Sequence, residues 1–223
     1  MLFLLFLKVS VKKDKFVLLM YYYYNDYSWC YMKVVIKNID DYRTFLNKLW
    51  IYKSFLYHNT MFEVDSNIDN VLGIINALNI KKRKKRIDYV YDKACEYLDL
   101  YIKDNNVCDF IDNKCFVQRR PNNTNKDGCC GPIKCKHLKN GMCTTKNISC
   151  KFFYCPDARK KAKVLCMKNI DILKLFSFRQ RLVIVFNVAS TREEILKDLY
   201  SYSLIYAILR VFIRDLKNRV LKR

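Results

Sequence analysis

Between Cys108 and Cys155 the chain carries eight of its eleven cysteines, in a segment with almost no apolar pattern. The residues among them are largely Asn, Lys, Asp, Thr and Gly, which bury too little surface to offset the entropy of ordering them. Something other than a conventional core must hold this stretch. Its densest part is "GCCGPIKCKHLKNGMCTTKNISCKFFYC", Gly128 to Cys155, with six cysteines and one histidine. Thiolate–metal bonds meet the need, because metal-binding free energy can serve as folding free energy. An iron–sulfur cluster and a disulfide scaffold are the alternatives. Disulfides are disfavoured because an odd cysteine total leaves one over. Sequons at Asn122 and Asn147 are what an Asn-rich chain produces by chance. "MLFLLFL" lacks a basic start, a long enough apolar run and a small-residue cleavage site. A reducing cytoplasm is the expected setting.

The candidate ligands are Cys108, Cys115, Cys129, Cys130, Cys135, Cys143, Cys150 and Cys155. Eight thiolates suffice for two four-coordinate sites, or for one cluster and one zinc. Gly128 and Gly131 permit tight turns around the Cys129–Cys130 pair, and Pro132 stiffens the second. Asn140-Gly141 is a turn dipeptide that brings Cys143 back toward Cys135. Adjacent cysteines do not easily face one metal, so one of Cys129 and Cys130 serves a second site or none. Lys134, Lys136, Lys146 and Lys151 are cations that favour thiolate formation. Phe152, Phe153 and Tyr154 form either a lid over the site or a dock onto the helices. His137 reads as a solvated loop residue rather than a ligand. Cys95 and Cys166, within apolar stretches, read as packing.

"CKHLKNGMCTTKNISCKFFYC" resembles the zinc- or iron-chelating cysteine-cluster proteins of bacteria, with Cys129, Cys130, Cys135, Cys143 and Cys150 at matching positions. The resemblance implies metal chelation. The chain departs from that pattern in a shorter Cys143–Cys150 gap, which lacks the family's Arg-Pro, and in the added Cys155. The stretch from about Ile87 to Leu199 also resembles uncharacterised cysteine-rich proteins of clostridia-like bacteria, which share a helix, a cysteine module and a C-terminal helical segment. Neither resemblance supplies a reaction.

The rest of the chain reads as helical. With four Gly and three Pro, few positions punctuate helices. Residues 1–31 read as a non-native or disordered extension, with Met32 as the natural start. A short strand is expected at Val34–Ile36. Phe45, Leu49, Tyr52 and Leu56 follow at helical spacing, and a helix runs through "DNVLGIINALN" with Asp69 as N-cap. "KKRKKR", Lys81 to Arg86, reads as a solvated linker or first helical turn, with a nucleic-acid patch as the alternative. Ile87, Val90, Tyr91, Ala94, Leu98 and Tyr101 mark an amphipathic helix. "RLVIVFNVA" is a buried strand or helix. "STRE" reads as a capping box with Ser190 as N-cap and Glu193 as its partner, opening one helix of roughly 30 residues. The expected class is therefore mainly α, with helices flanking an irregular cysteine-rich metal-binding module. Its parts are the extension 1–31, a small N-terminal segment and basic linker 32–85, and a helical domain 86–223 containing the module 108–155.

No P-loop, G-x-G-x-x-G, H-E-x-x-H or G-x-S-x-G occurs, and two histidines supply little imidazole chemistry. The expectation is a zinc- or iron-binding protein with a structural or regulatory site and no evident catalysis. The alternatives are an iron–sulfur protein for electron transfer or redox sensing, and a basic nucleic-acid-binding zinc module. A net charge of +21 admits nucleic acid or an anionic membrane surface as partner, and codon bias toward lysine accounts for it equally. The apolar C-terminal helix suits an oligomer interface.

Overall fold

The computed structural model describes residues 32–52, 60–64, 69–112, 114–121, 138–139, 142–161, 164–188, 190–201 and 204–220, and within them the chain is mainly helical. The expected strand is present as β1, Met32–Ile36. Helix α1, Ile39–Asn47, starts where Asn38 Oδ1 accepts from the backbone N–H groups of Asp40 and Asp41, at 3.0 and 2.9 Å. The two acidic residues also suit its positive N-terminal end. One more turn, α2 (Leu49–Ile51), continues it. The next element corrects the sequence reading, which expected only helices here. Thr60–Val64 is a strand, β2, parallel to β1 in the register Met32↔Thr60 to Ile36↔Val64. Its short run of β-branched and aromatic residues suits a pleated surface. Phe62 meets Phe45 and Tyr52 edge-on, at 5.8 and 5.9 Å between ring centroids. Leu56 lies outside the described residues.

Helices α3 (Asp69–Asn79) and α4 (Arg83–Asp104) form the centre of the fold. Ile87, Val90, Tyr91, Ala94 and Leu98 are buried as their spacing requires, and Tyr101 is half-buried. They share one cluster with Val34 and Ile36 of β1, Ile74 and Leu78 of α3, and Ile195 and Leu199 further along. Each large side chain buried there contributes about 1.5–3 kcal/mol. The basic run is the first turn of α4 and the two residues before it. Arg83 Nη1 donates to the carbonyl of Tyr200 at 2.9 Å, and Lys84 sits over the Tyr200 ring at 5.5 Å.

Two short strands follow, β3 (Leu138–Lys139) and β4 (Met142–Cys143), paired antiparallel with Leu138 opposite Cys143. Two short helices come next, α5 (Ile148–Lys151) and α6 (Pro156–Lys161). A 3₁₀ turn over Asp171–Leu175 buries Ile172, Leu173 and Leu175 against α3 and α4. "RLVIVF" belongs to a helix, α7 (Phe178–Phe186), capped reciprocally by Ser177 and Gln180.

The C-terminal region departs from expectation in two ways. The capping box is shifted by one residue: Thr191 is the N-cap of α8 (Arg192–Tyr200), with Glu194, not Glu193, as its partner. Ser190 cannot serve, because its carbonyl is held outside the helix by Asn147 Nδ2 at 2.9 Å. The single long helix is also divided. The chain turns extended at Ser201 (φ −64°, ψ 136°) and resumes as α9, Leu204–Val220, packed on α7 and α8. The cause is Asp198, 1% exposed. Its carboxylate takes Arg214 Nη2 at 2.8 Å and Asn187 Nδ2 at 3.1 Å, and Arg210 Nη2 lies 3.0 Å away. The two arginines are one turn apart on α9, so satisfying one buried charge folds the whole helix back. Helix α8 is fastened antiparallel to α4 by the fork of Arg192 on Asp92, both contacts 2.6 Å, and by the Tyr200 hydroxyl on Asp88. Among the described residues no helix is long and apolar enough to cross a membrane.

Asp198→Ala leaves two partly buried arginines without their counter-charge. It should lower stability by about 3–5 kcal/mol, read as a fall in the urea midpoint.

Candidate functional site

The eight candidate cysteines divide in the structure. Cys129, Cys130 and Cys135, with His137, lie outside the described residues, as does the Cys143 side chain; only the backbone of Cys143 is placed, in β4. Cys108 and Cys115 belong to a tight loop beyond α4. Asn106, Asp109 and Asp112 take positive φ there (37°, 50° and 49°), a conformation that Asn and Asp tolerate. Phe116 N–H donates to the carbonyl of Cys108 at 3.1 Å, which brings the backbones at Cys108 and Cys115 side by side. Gln118 Oε1 accepts from Cys115 N–H at 2.9 Å, and Arg119 Nη2 clasps Asp109 Oδ2 at 2.8 Å. Cys115 is buried.

The loop leads from a second, small apolar cluster of Val107, Tyr154 and Ala158, with Tyr101, Cys155 and Val164 packed around it. Cys155 Sγ accepts from Ala158 N–H at 3.4 Å. The first and last cysteines of the run thus approach the same cluster from two directions. At its centre, the buried Tyr154 hydroxyl has no hydrogen-bond partner among the described residues. Burial, then the neighbouring Tyr101, Cys108 and Cys166, push this phenol up to about 12. Cys166 therefore belongs to these surroundings. The sequence reading placed it in the core; it is exposed, its Sγ 2.9 Å from Asn169 Oδ1, because the chain around it is extended rather than helical. Of the three aromatics, Phe152 packs on the main core, Tyr154 fills the small cluster, and Phe153 is 57% exposed. Phe152 and Tyr154 dock the segment onto the helices.

Cys150 sits elsewhere, in α5 beside Tyr91. Tyr91 and Tyr101 are about 15 Å apart along α4 at 1.5 Å per residue. Helix α5 is a peg between α4 and the α7–α8 corner. Tyr91 donates its hydroxyl hydrogen to the carbonyl of Lys146 at 2.9 Å and accepts from Ile148 N–H at 3.3 Å. Asn147 Oδ1 accepts from Cys150 N–H, while Asn147 Nδ2 donates to the carbonyls of Asn187 and Ser190, at 2.8 and 2.9 Å. Ser149 Oγ donates to the carbonyl of Ile184. Asn147 is 1% exposed with its amide fully engaged, so the sequon there is closed in the folded chain. Two of the lysines expected to favour thiolates pair with Asp99 and still pull the Cys95 thiol down, against the larger effect of burial. Lys151 is buried on Asp99, and Lys146 approaches the same carboxylate at 3.9 Å. Lys134 and Lys136 lie outside the described residues.

Cys95 is core packing, as expected: it is fully buried, and burial pushes its thiol up to about 12 against the weaker pull of Lys151. Among the described residues, two of the surface cavities bear on chemistry. One of about 90 Å³ lies among Arg83, Arg86, Phe176 and Gln180; one of about 190 Å³ lies among Lys93, Glu96, Tyr97 and Asp171. In the second, Lys93 pairs with Glu96, and Asp171 accepts from the Tyr42 hydroxyl, so neither cavity presents a nucleophile beside a base.

Among the described residues, no three Cys, His, Asp or Glu side chains converge closely enough to hold a metal ion. No family model, curated protein or solved structure matches the chain.

Two predictions follow from this geometry. Asn147→Ala leaves two buried carbonyls unsatisfied and should cost about 1–3 kcal/mol in urea unfolding. Burial pushes the Cys95 thiol from its ordinary range up to about 12, so its contribution is intact below the unfolded pKa and is lost as pH rises, when only the unfolded chain gives up the proton. Cys95→Ala should flatten the fall in stability between pH of about 8.5 and 10, measured by urea midpoints across that range.

Proposed function

We propose that this chain is a metal-binding cysteine protein, with zinc as the preferred ion and a structural or regulatory role. The observation that carries the reading is that the first and last cysteines of the run both neighbour Tyr154. Cys108 and Cys155 both lie at the Tyr154 cluster, beside a buried hydroxyl that has no partner among the described residues. Each end of the segment is tied to α4, one through the loop beyond Val107 and the other through the α5 peg. The residues between are too polar to fold by apolar burial. Thiolates suit zinc, and a bound zinc would supply folding free energy to this segment.

The ligands are drawn from Cys108, Cys115, Cys129, Cys130, Cys135, Cys143, Cys150 and Cys155, with Cys166 as an added candidate beside Tyr154. The separation of Cys150 from the Tyr154 cluster favours two ligand groups over one. The enclosed sequon at Asn147 supports a reducing, cytoplasmic setting over a secreted one. Catalysis is not part of the reading.

Protein purified anaerobically without chelator should carry about one to two zinc ions per chain, with fewer than eleven thiols open to titration in the folded state. A brown protein containing iron would replace zinc by an iron–sulfur cluster. Metal-free protein in which every exposed and module thiol titrates freely would overturn the reading. Cys108→Ser with Cys155→Ser should reduce the metal content, whereas Cys95→Ala should leave it unchanged.

A further inference from the structure

Helix α9 packs with its charged side inward. Its contact with the domain is made by Ala207, Arg210, Val211 and Arg214, the arginines on Asp198. An amphipathic surface helix ordinarily turns its apolar stripe to the core. Here the stripe faces out: Ile205 is 74% exposed, Phe212 65%, Ile213 62%, Leu216 53% and Leu209 52%. Phe186 and Val188, at the end of α7, are also exposed, at 52% and 65%.

We propose that this face lies on an anionic lipid surface. Charge selects that occupant. A second copy would set +21 against +21, while an acidic bilayer face carries the opposite sign. A basic residue is placed at its edge for headgroups: Lys217 beside Leu216 is exposed. Its aliphatic stem can follow the apolar surface while the charge stays at headgroup level. With 17 residues, α9 is shorter than the roughly 20 needed to span a bilayer. It suits lying in the interface plane, apolar face down. Because Arg210 and Arg214 are fastened to Asp198, the surface binds as a preformed rigid face, with no helix to order on contact.

The test is co-sedimentation of the full chain with vesicles of phosphatidylcholine containing about 30% phosphatidylglycerol, and of phosphatidylcholine alone. The comparison variant is Leu209→Ser/Phe212→Ser/Ile213→Ser, which leaves the net charge unchanged. Wild type should bind the anionic vesicles, and binding should persist in part at about 0.5 M salt, where simple charge attraction is screened. The variant should bind about tenfold or more weakly and lose the salt-resistant part. All three positions are more than half exposed, so its far-UV circular dichroism should match wild type. Ile205→Ser, at the most exposed position, should shift binding in the same direction should the triple variant unfold. Absence of vesicle binding, equal binding by variant and wild type, or complete loss in salt would overturn the proposal. So would a wild-type dimer, by light scattering, that these substitutions convert to monomer, since the occupant would then be a second copy.

Discussion

A carboxylate cannot stay charged in an apolar interior without a partner, and Asp198 is the point from which the C-terminal third of the molecule is organised. Three groups from two other elements converge on it: the Asn187 amide at the α7 end, and Arg210 and Arg214 on α9. Desolvating these charges is unfavourable and is offset only when all of them meet. The corner between α7 and α8, the break at Ser201 and the return of α9 are thus one event. The inverted facing of α9 follows directly. Two arginines one turn apart cannot both reach Asp198 while the apolar stripe also faces the core.

The same logic governs the middle of the chain, with hydrogen bonds in place of charges. Ile148–Lys151 makes one turn of helix, too little to be stable alone. It holds because Tyr91 of α4 bonds Lys146 and Ile148, while Asn147, Ser149 and Lys151 find partners on α4 or the α7–α8 corner. A buried donor or acceptor is far more costly unmet than it is profitable when met, so the register of this turn admits no slippage. The cysteines nearest to it inherit that precision. Cys150 donates its N–H to Asn147 Oδ1, and Cys155 Sγ accepts from Ala158 N–H, so both are fixed within this bonded turn and the one after it.

Periodicity made the central helix legible. The stripe from Ile87 to Leu98 needs no tertiary information, and "DNVLGIINALN" is helical as expected, with Asp69 as the first helical residue rather than the N-cap. Strand β2 was hidden because "TMFEV" is five residues long and its partner, β1, is distant in sequence. The capping frame at α8 turned on a hydrogen bond from Asn147 to Ser190, which no local pattern contains. The division of the last helix was equally nonlocal: it rests on the pairing of Arg210 with Asp198, twelve residues earlier in the chain. For the site, the spacing of cysteines identified the segment but not its geometry. Cys166 read as core because apolar neighbours surround it in sequence, although the extended chain there turns it outward. That two of the lysines near the thiols also share Asp99 is a long-range pairing that the spacing does not contain.

The threading of Asn147 between α4 and the α7–α8 corner bears on how this architecture can be divided or inherited. A cysteine module joined to its host at two termini can be cut out, grafted or lost as a cassette. This one cannot. Its final turn supplies Ile148 to the main core and two donor bonds to the corner that starts α8. Excision would remove part of the interior of the remaining domain, and a peptide spanning the cysteines alone would expose Ile148 and leave Lys151 without Asp99. Segment and helical domain are therefore one cooperative unit, and variation in either is constrained by the other.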